Sequence, residues 1–211
     1  WHIKHDVPWK RGYLLFGQPG TGKTCMVRAI AQDLDLPIYA FDLGSLTNEE
    51  LLNQWMNMDE DTPCIALFED IDTVFKGRDN ISKGNQAEKV TFDAFLQCLD
   101  GIKECSGLLV ILTTNNVEAL DPALGGGEEA VSTGVSARPG RIDKLFNFGL
   151  LDENGQEFLA RKVLDDEESI QEVMAEGKDL TPVQFRELCR SKVVWSSPLD
   201  NSTEQEKVEE K

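Results

Sequence analysis

Five short and nearly continuous apolar runs are spaced along the first 150 residues of the chain. They are GYLLF at 12–16, PIYAFDL at 37–43, CIALFED at 64–70, LLVILTT at 108–114 and KLFNFGL at 144–150. Runs of this length without polar alternation are typical of strands that are buried on both faces of a parallel sheet. Amphipathic stretches at 23–34, 48–57 and 86–99 lie between them and predict helices, the second of which starts with a capping box between Thr47 and Glu50. This alternation predicts an α/β fold in which a five-stranded parallel sheet carries helices on both faces.

The pattern changes from about Leu151 onwards. Three helical segments, NGQEFLARKVL, EESIQEVMAE and TPVQFRELCRSKV, follow with no strand between them. The last stretch, SSPLDNSTEQEKVEEK, is polar and has no periodic apolar face, which is typical of a disordered tail. We therefore expect an α/β domain at 1–150, a small helical subdomain at 151–195 and a disordered acidic tail at 196–211.

The chain is strongly acidic. It has 21 Lys and Arg residues against 38 Asp and Glu residues, a net charge of −17, and the basic residues form no cluster. Such a surface repels a phosphate backbone, so we expect no nucleic-acid partner, and this disfavours a DNA-directed clamp loader or helicase. No run approaches the roughly 20 apolar residues that a membrane helix needs. Because the chain begins at Trp1 rather than Met, we expect it to be a fragment, and an upstream membrane anchor stays open.

The cysteines predict an intracellular protein with reduced thiols. None of the five belongs to a C-x-x-C pair, and only His2 and His5 are available as further metal ligands. The odd count and the apolar surroundings argue against a disulfide framework and against a zinc site. The cysteines are Cys25, Cys64, Cys98, Cys105 and Cys189.

The first apolar run is followed directly by GQPGTGKT at 17–24. All four fixed positions of the phosphate-binding pattern G-x-x-x-x-G-K-[ST] are filled, and the pattern lies between a predicted strand and a predicted helix. Its glycines let backbone N–H groups turn towards phosphate oxygens, and the helix that begins near Lys23 adds the positive end of its dipole. We expect Lys23 to bind the β- and γ-phosphates of a nucleotide and the Thr24 hydroxyl to complete the shell of a Mg²⁺ ion. A turn that only joins a strand to a helix is the alternative. The residues predicted to bind the nucleotide are Gly17, Gln18, Pro19, Gly20, Thr21, Gly22, Lys23, Thr24 and Cys25.

Polar side chains follow two of the other apolar runs. Glu69 and Asp70 come where the third run ends, and Asn115 follows the fourth. Ligands of open α/β sheets bind at the carboxyl ends of the strands, so one carboxylate is expected to hold Mg²⁺ and the other to orient or deprotonate an attacking water. Asn115 is a candidate for contacting the γ-phosphate or that water. Asp72 is expected to shape the turn after the acids, and Asn116 to be a turn residue.

Four motifs in order carry a resemblance to a known family. GQPGTGKT, CIALFEDID, LTTNNVEALDPAL and RPGRID resemble Walker A, Walker B, the sensor asparagine and the arginine-finger region of the AAA ATPases, and the likeness covers about residues 5 to 190. Within that family the chain is most similar to the Bcs-type subfamily, typified by the mitochondrial chaperone that assembles respiratory complex III. The features behind this are VPWKRGYLLFG before the loop, the order Glu-Asp at 69 and 70, and FLQCLDGI before the sensor strand.

The resemblance implies a P-loop NTPase (AAA+) fold with the helical subdomain as a lid, and an ATP hydrolase with ATP and Mg²⁺ as cofactors. Thr24 and Glu69 would hold Mg²⁺, Asp70 would be the base, and Asn115 the sensor. Arg138 or Arg141 would reach a neighbouring subunit in a homo-oligomeric ring, a hexamer or heptamer, that remodels, chaperones or translocates a protein substrate. The expected location is the cytoplasm or the matrix side of mitochondria.

Three departures from the family pattern leave alternatives open. The Glu-Asp order leaves undecided which carboxylate does which job, and a glycine-rich stretch at 125–137, which we expect to be a mobile loop, interrupts the arginine region. A pore loop that grips an extended chain has only Trp55 and Met56 as candidates, and these are better explained by helix packing. RPGR could also be an exposed turn flanked by solvated arginines. A nucleotide-dependent switch or scaffold with little hydrolysis is therefore the second functional hypothesis.

Overall fold

A computed structural model describes residues 9–59, 61–85, 88–101, 107–125, 127–136 and 138–193 of the chain. The chain divides into two compact units, Trp1–Gly149 and Leu150–Lys211. The predicted tail at 196–211 lies outside the described residues, as do Cys105, His2 and His5.

The first unit alternates strands and helices. Its elements are β1 Lys10–Phe16, α1 Lys23–Asp33, β2 Ile38–Phe41, α2 Asn48–Met56, β3 Cys64–Phe68, α3 Ile71–Val74, β4 Phe75–Lys76, β5 Asp79–Asn80, α4 Phe92–Asp100, β6 Leu108–Thr114, α5 Glu128–Thr133 and β7 Lys144–Asn147. Two short 3-10 helices, Val117–Ala119 and Pro122–Leu124, lie between β6 and α5.

A five-stranded sheet with the order β2-β3-β6-β1-β7 forms the centre of this unit, and all of its strand pairs are parallel. Every residue of β3 and β6 is buried. Alternate residues of these strands enter different apolar clusters, so that Ala66 packs with residues of α2 and α4 while Ile65 packs with residues of α1. The predicted parallel sheet with helices on both faces is confirmed.

Two predictions for this unit were wrong. The helix expected from Gln86 begins only at Phe92, because the Thr91 side chain accepts a hydrogen bond from the Ala94 N–H (3.2 Å) and caps the helix there. The stretch at 125–137, expected to be a mobile loop, contains α5 at Glu128–Thr133, whose Ala130 is 4% exposed and belongs to the main apolar cluster.

Two finer predictions concern α2. Thr47 and Glu50 form the expected capping box at the start of α2. Helix packing is confirmed for Trp55, which is 0% exposed and packs against Phe41 and Phe68, but it is not confirmed for Met56, which is 49% exposed.

The described part of the second unit, residues 150–193, contains three helices, as predicted: α6 Glu153–Val163, α7 Glu167–Glu176 and α8 Pro182–Lys192. Each begins at a residue whose side chain accepts a hydrogen bond from the first turn, namely Asp152, Asp166 and Thr181. The helices share their own core, which includes Ala160, Ile170 and Phe185. Across the residues that the structure describes, no helix is both long and apolar enough to span a bilayer.

Candidate functional site

The loop between β1 and α1 has the backbone that the glycine pattern predicts. Gly17, Gly20 and Gly22 have φ values of 144°, 80° and 98°. A Cβ atom on Gly17 would lie 2.1 Å from the backbone oxygen of Phe148, so the loop packs tightly against the segment after β7. A Cβ on Gly22 would meet nothing within 4 Å, which leaves open space at the start of α1.

The amino-terminal end of α1 is available for an anion. Gly22 is the N-cap residue of this 11-residue helix, no side chain caps it, and its first turn holds no acidic residue. The first N–H groups of a helix have no partner within the helix, and together with the helix dipole they favour phosphate oxygens. The loop and the helix start therefore fit a nucleotide phosphate.

Lys23 is the first residue of α1, and its side chain turns back to the loop, where the residue is 7% exposed. Its Nζ atom donates hydrogen bonds to the backbone oxygens of Gly17 (2.8 Å) and Gln18 (3.1 Å) and to Oδ1 of Asn115 (2.8 Å). Burial lowers the pKa of Lys23 below its ordinary value, and attraction to Asp70 and Asp72 opposes that change. An ammonium group has three donors, and here three acceptors match them.

Thr24 joins the start of α1 to the end of β3. Its hydroxyl donates a hydrogen bond of 2.6 Å to Oε1 of Glu69. A hydroxyl and a carboxylate at this distance are the oxygen ligands that Mg²⁺ prefers, and they fit a Mg²⁺ ion that takes its other ligands from water and phosphates. The described residues contain no group of three or more acidic, His or Cys side chains that could hold a metal by themselves.

Asp70 has an unusual backbone conformation, with φ 47° and ψ 48°. Asp35 is the other non-glycine residue with positive φ within the described ranges. The Asp70 N–H donates to Oγ1 of Thr113 (2.9 Å), and its Oδ1 accepts a hydrogen bond from Nδ2 of Asn115 (3.0 Å). Asn115 therefore connects Lys23 on one side to Asp70 on the other.

Asp72 has a role that sequence reasoning missed. The turn after the acids is formed by the Asp70 backbone oxygen, which accepts from the N–H (2.9 Å) and hydroxyl (2.7 Å) of Thr73. Asp72 instead accepts hydrogen bonds at Oδ1 from the Thr114 hydroxyl (2.8 Å) and from the Asn115 N–H (3.0 Å). The sequence shows polar residues after the third and fourth apolar runs. It does not show that these runs form neighbouring strands, β3 and β6, which is what brings Asp72 to Thr114 and Asn115.

Glu69 and Asp70 also line an open cleft of about 380 Å³ at the carboxyl ends of β2 and β3, which Asp42 borders on the β2 side. The carboxylates are thus accessible from outside. Asn116 is the turn residue that was expected, because its side chain accepts from the Glu118 N–H (3.1 Å) at the start of a 3-10 helix.

The two candidate arginines differ sharply. Arg141 is bound within its own chain: its Nη2 donates to Oδ2 of Asp100 (2.7 Å), its Nε contacts the other oxygen of that carboxylate, and its Nη1 donates to the Ala123 oxygen (2.9 Å). The hydrogen bonds to Asp100 raise the pKa of Arg141. The Arg138 side chain is exposed, and the described part of the chain offers its guanidinium no hydrogen-bond or ion-pair partner. Within the same residues, neither arginine contacts Lys23.

Comparisons with known proteins agree with these motifs. Residues 13–131 match the model of the "ATPase family associated with various cellular activities (AAA)". A probable mitochondrial chaperone bcs1 of Schizosaccharomyces pombe is 35% identical over 145 residues, covering 68% of this chain and 29% of the relative. The mitochondrial chaperone BCS1 of Homo sapiens is 34% identical over 148 residues (68% and 32%), and an AAA-ATPase of Arabidopsis thaliana is 34% identical over 194 residues (85% and 38%). The chain spans about a third of the length of these relatives.

Proposed function

Because this chain belongs to the AAA family of ATPases, we propose that it binds ATP with Mg²⁺ in the loop between β1 and α1 and hydrolyses it. The expected resemblance to Bcs-type members of the family is confirmed by the curated relatives. The observation that carries the proposal is one hydrogen-bonded cluster in which Asn115 contacts both Lys23 and Asp70, beside the Thr24 to Glu69 contact.

In this proposal the backbone N–H groups at the start of α1 bind the phosphate oxygens of ATP, and Gly22 leaves the space for them. Lys23 exchanges at least one of its three present acceptors for a phosphate oxygen and places its charge there. Thr24 and Glu69 hold Mg²⁺, which neutralises charge on the phosphates when it is bound.

Asp70 is proposed to orient the attacking water and to accept its proton. The Asn115 amide fixes the Asp70 carboxylate through Nδ2 and directs its own Oδ1 to Lys23. Glu69 is assigned to the metal rather than to the water because the Thr24 hydroxyl already donates to it. This division gives each of the two carboxylates a separate task.

Arg138 is proposed as the residue that acts on the nucleotide of a neighbouring copy. It is exposed and lacks a partner among the described residues, whereas Arg141 is committed to Asp100 and Ala123. A positive charge from a second subunit stabilises the charge that develops on the transferred phosphoryl group. A ring of identical subunits, a hexamer or heptamer, is the assembly in which every copy both donates and receives such a residue.

For the cellular role we propose remodelling, chaperoning or translocation of a protein partner inside the cell, on the matrix side of mitochondria. The support is that several relatives are named mitochondrial chaperones. The buried position of Trp55 argues against α2 supplying an aromatic grip for an extended polypeptide.

A phosphate-release assay tests the proposal. We expect Mg²⁺-dependent release by the unaltered chain that rises more steeply than in proportion to protein concentration, and loss of release in Lys23→Ala and Asp70→Asn. Asp70→Asn should still bind ATP, because Asn keeps the oxygen that accepts from Asn115. ATP binding without phosphate release, at protein concentrations that allow subunits to assemble, would contradict hydrolysis and favour a nucleotide-dependent switch. That switch is the second candidate function, because the Asp70 side chain is short and already accepts a hydrogen bond from Asn115.

A further inference from the structure

The ends of β3 and β6 are joined by side chains after their backbone pairing stops. The last backbone pair of these strands is Phe68 with Leu112. Beyond it, the Asp70 N–H donates to the Thr113 hydroxyl, and Oδ1 of Asp72 accepts from the Thr114 hydroxyl. Thr113 and Thr114 are 1% and 0% exposed, so these contacts lie in a protein interior where hydrogen bonds are strong and costly to lose.

Asp72 also fixes the backbone from which the sensor side chain projects. Its Oδ1 accepts from the Asn115 N–H (3.0 Å) in addition to the Thr114 hydroxyl (2.8 Å). The backbone of Asn115 is thus held by Asp72, while its side-chain amide lies between Lys23 and Asp70. A shift at this point would move both side-chain contacts together.

Asp70 shows that the geometry here is imposed. A non-glycine residue in the left-handed region is strained, although Asp tolerates it better than most residues, and it persists when its surroundings hold it there. The Thr113 hydroxyl provides one such contact and the Asn115 amide another. The same two contacts depend on the position of the β6 end that Asp72 fixes.

We infer that Asp72 is a positioning residue for the proposed ATP hydrolysis, which holds Asn115 and the end of β6 so that Asp70 and Lys23 are bridged in one geometry. The inference rests on the proposed function. The hydrogen bonds of Asp72 go to Thr114 and Asn115 and not to Lys23 or the loop between β1 and α1, so Asp72 acts on the proposed nucleotide site through Asn115. Its charge has a separate, longer-range effect on Lys23, and the two effects can be separated by substitution.

The test compares Asp72→Asn with Asp72→Ala in the full chain. Asn keeps the oxygen that accepts both hydrogen bonds and loses only the charge, whereas Ala loses both. For Asp72→Ala we expect kcat to fall at least about tenfold and KM for ATP to change less than about threefold. This pattern corresponds to the loss of stabilisation of the transition state rather than of ATP binding. Asp72→Asn should restore kcat to within about threefold of the unaltered chain.

Thr114→Val is the second variant, in case Asp72→Ala fails to fold. It removes one of the two donors to Asp72, and also the acceptor of the Asn116 N–H (3.1 Å), while keeping the side-chain shape. Thr114→Ser, which keeps the hydroxyl and both of these hydrogen bonds, is its matched control. We expect an intermediate loss of kcat in Thr114→Val and none in Thr114→Ser. Hydrogen exchange at the Asn115 N–H provides a readout independent of activity: protection should persist in Asp72→Asn and be lost in Asp72→Ala.

Different results would contradict the proposed ATP hydrolysis and the proposed role of Asp72. An unaltered chain that binds ATP and releases no phosphate contradicts the proposed function, whereas the exchange measurement still tests the inference. Turnover at the unaltered rate in Asp72→Ala, or an equal loss in Asp72→Asn and Asp72→Ala, overturns the inference. The first result would show that Asp72 is not needed, and the second that its charge rather than its hydrogen bonding matters.

Discussion

Two glycines of the same loop should respond differently to replacement by alanine. Gly17 and Gly22 both have positive φ values, 144° and 98°, where a side chain is strained. At Gly17 a Cβ atom would also lie 2.1 Å from the Phe148 oxygen, whereas real Cβ contacts stay above 3.0 Å, so the two atoms must separate by at least 0.9 Å (3.0 − 2.1). At Gly22 a Cβ would meet nothing within 4 Å.

The segment that would have to move at Gly17 is tied down, because the Phe148 N–H donates to the Phe16 oxygen at 2.7 Å. We therefore expect Gly17→Ala to combine overpacking with backbone strain, a loss of about 2–5 kcal/mol of unfolding free energy. Gly22→Ala should carry the strain alone, about 1–2 kcal/mol. For a chain of this size, the melting temperature should fall by roughly 10 °C in the first variant and roughly 4 °C in the second.

The assay is thermal unfolding of the nucleotide-free protein by circular dichroism, followed by ATP titration of each folded variant. Gly22→Ala should lose more ATP affinity than its small loss of stability explains, since its new methyl group enters the open space at the start of α1. Equal melting temperatures for the two variants would show that the close approach of Phe148 to Gly17 carries no extra cost. ATP binding by Gly22→Ala as tight as by the unaltered chain would show that the space at Gly22 is not used by the nucleotide.

Three further predictions concern other sites. Arg138→Ala should lower phosphate release by roughly a thousandfold in the assembled protein and leave the melting temperature unchanged. Arg141→Ala should instead lower the free energy of unfolding in urea by about 1–2 kcal/mol, because Asp100 and Ala123 lose their hydrogen-bond partner. The reverse pattern would exchange the roles of the two arginines. Burial raises the pKa of the Cys98 thiol to about 11 from 9.0, so at pH 8 only about one Cys98 thiol in a thousand is ionised rather than one in ten. Thiol labelling followed by mass spectrometry should therefore find the exposed Cys25 modified and Cys98 intact. Modification of Cys98 in the folded chain would contradict this. Thr47→Ala removes a side-chain cap of α2 and should lower stability by about 1 kcal/mol, a change that Thr47→Ser should largely avoid.

The sheet and most of the site could be predicted because their causes are local. Apolar runs such as 64–68 and 108–114 are buried on both faces, and their carboxyl ends lie at one edge of the sheet, where Glu69, Asp70 and Asn115 follow them. The glycines that were expected to let the loop backbone turn towards a phosphate have positive φ values. Each of these features depends on a few neighbouring residues.

What could not be predicted depends on contacts between distant segments. The cap that begins α4 is local, but Thr91 itself is held by Asn48, 43 residues away, whose Oδ1 accepts from the Thr91 N–H (2.7 Å). The commitment of Arg141 depends on Asp100, and the position of Asn115 depends on Asp72. A single sequence shows the polar residues at these points but not which of them are paired.

Binding of ATP at the loop between β1 and α1 can be measured by calorimetric titration of the purified chain with ATP and Mg²⁺. We expect saturable heat for one site per chain, and loss of that heat in Lys23→Ala, whose substitution removes the ammonium that Gly17, Gln18 and Asn115 now surround. If folded, unaltered protein gives no heat, or if Lys23→Ala binds ATP as tightly as the unaltered chain, the loop between β1 and α1 is not the nucleotide site.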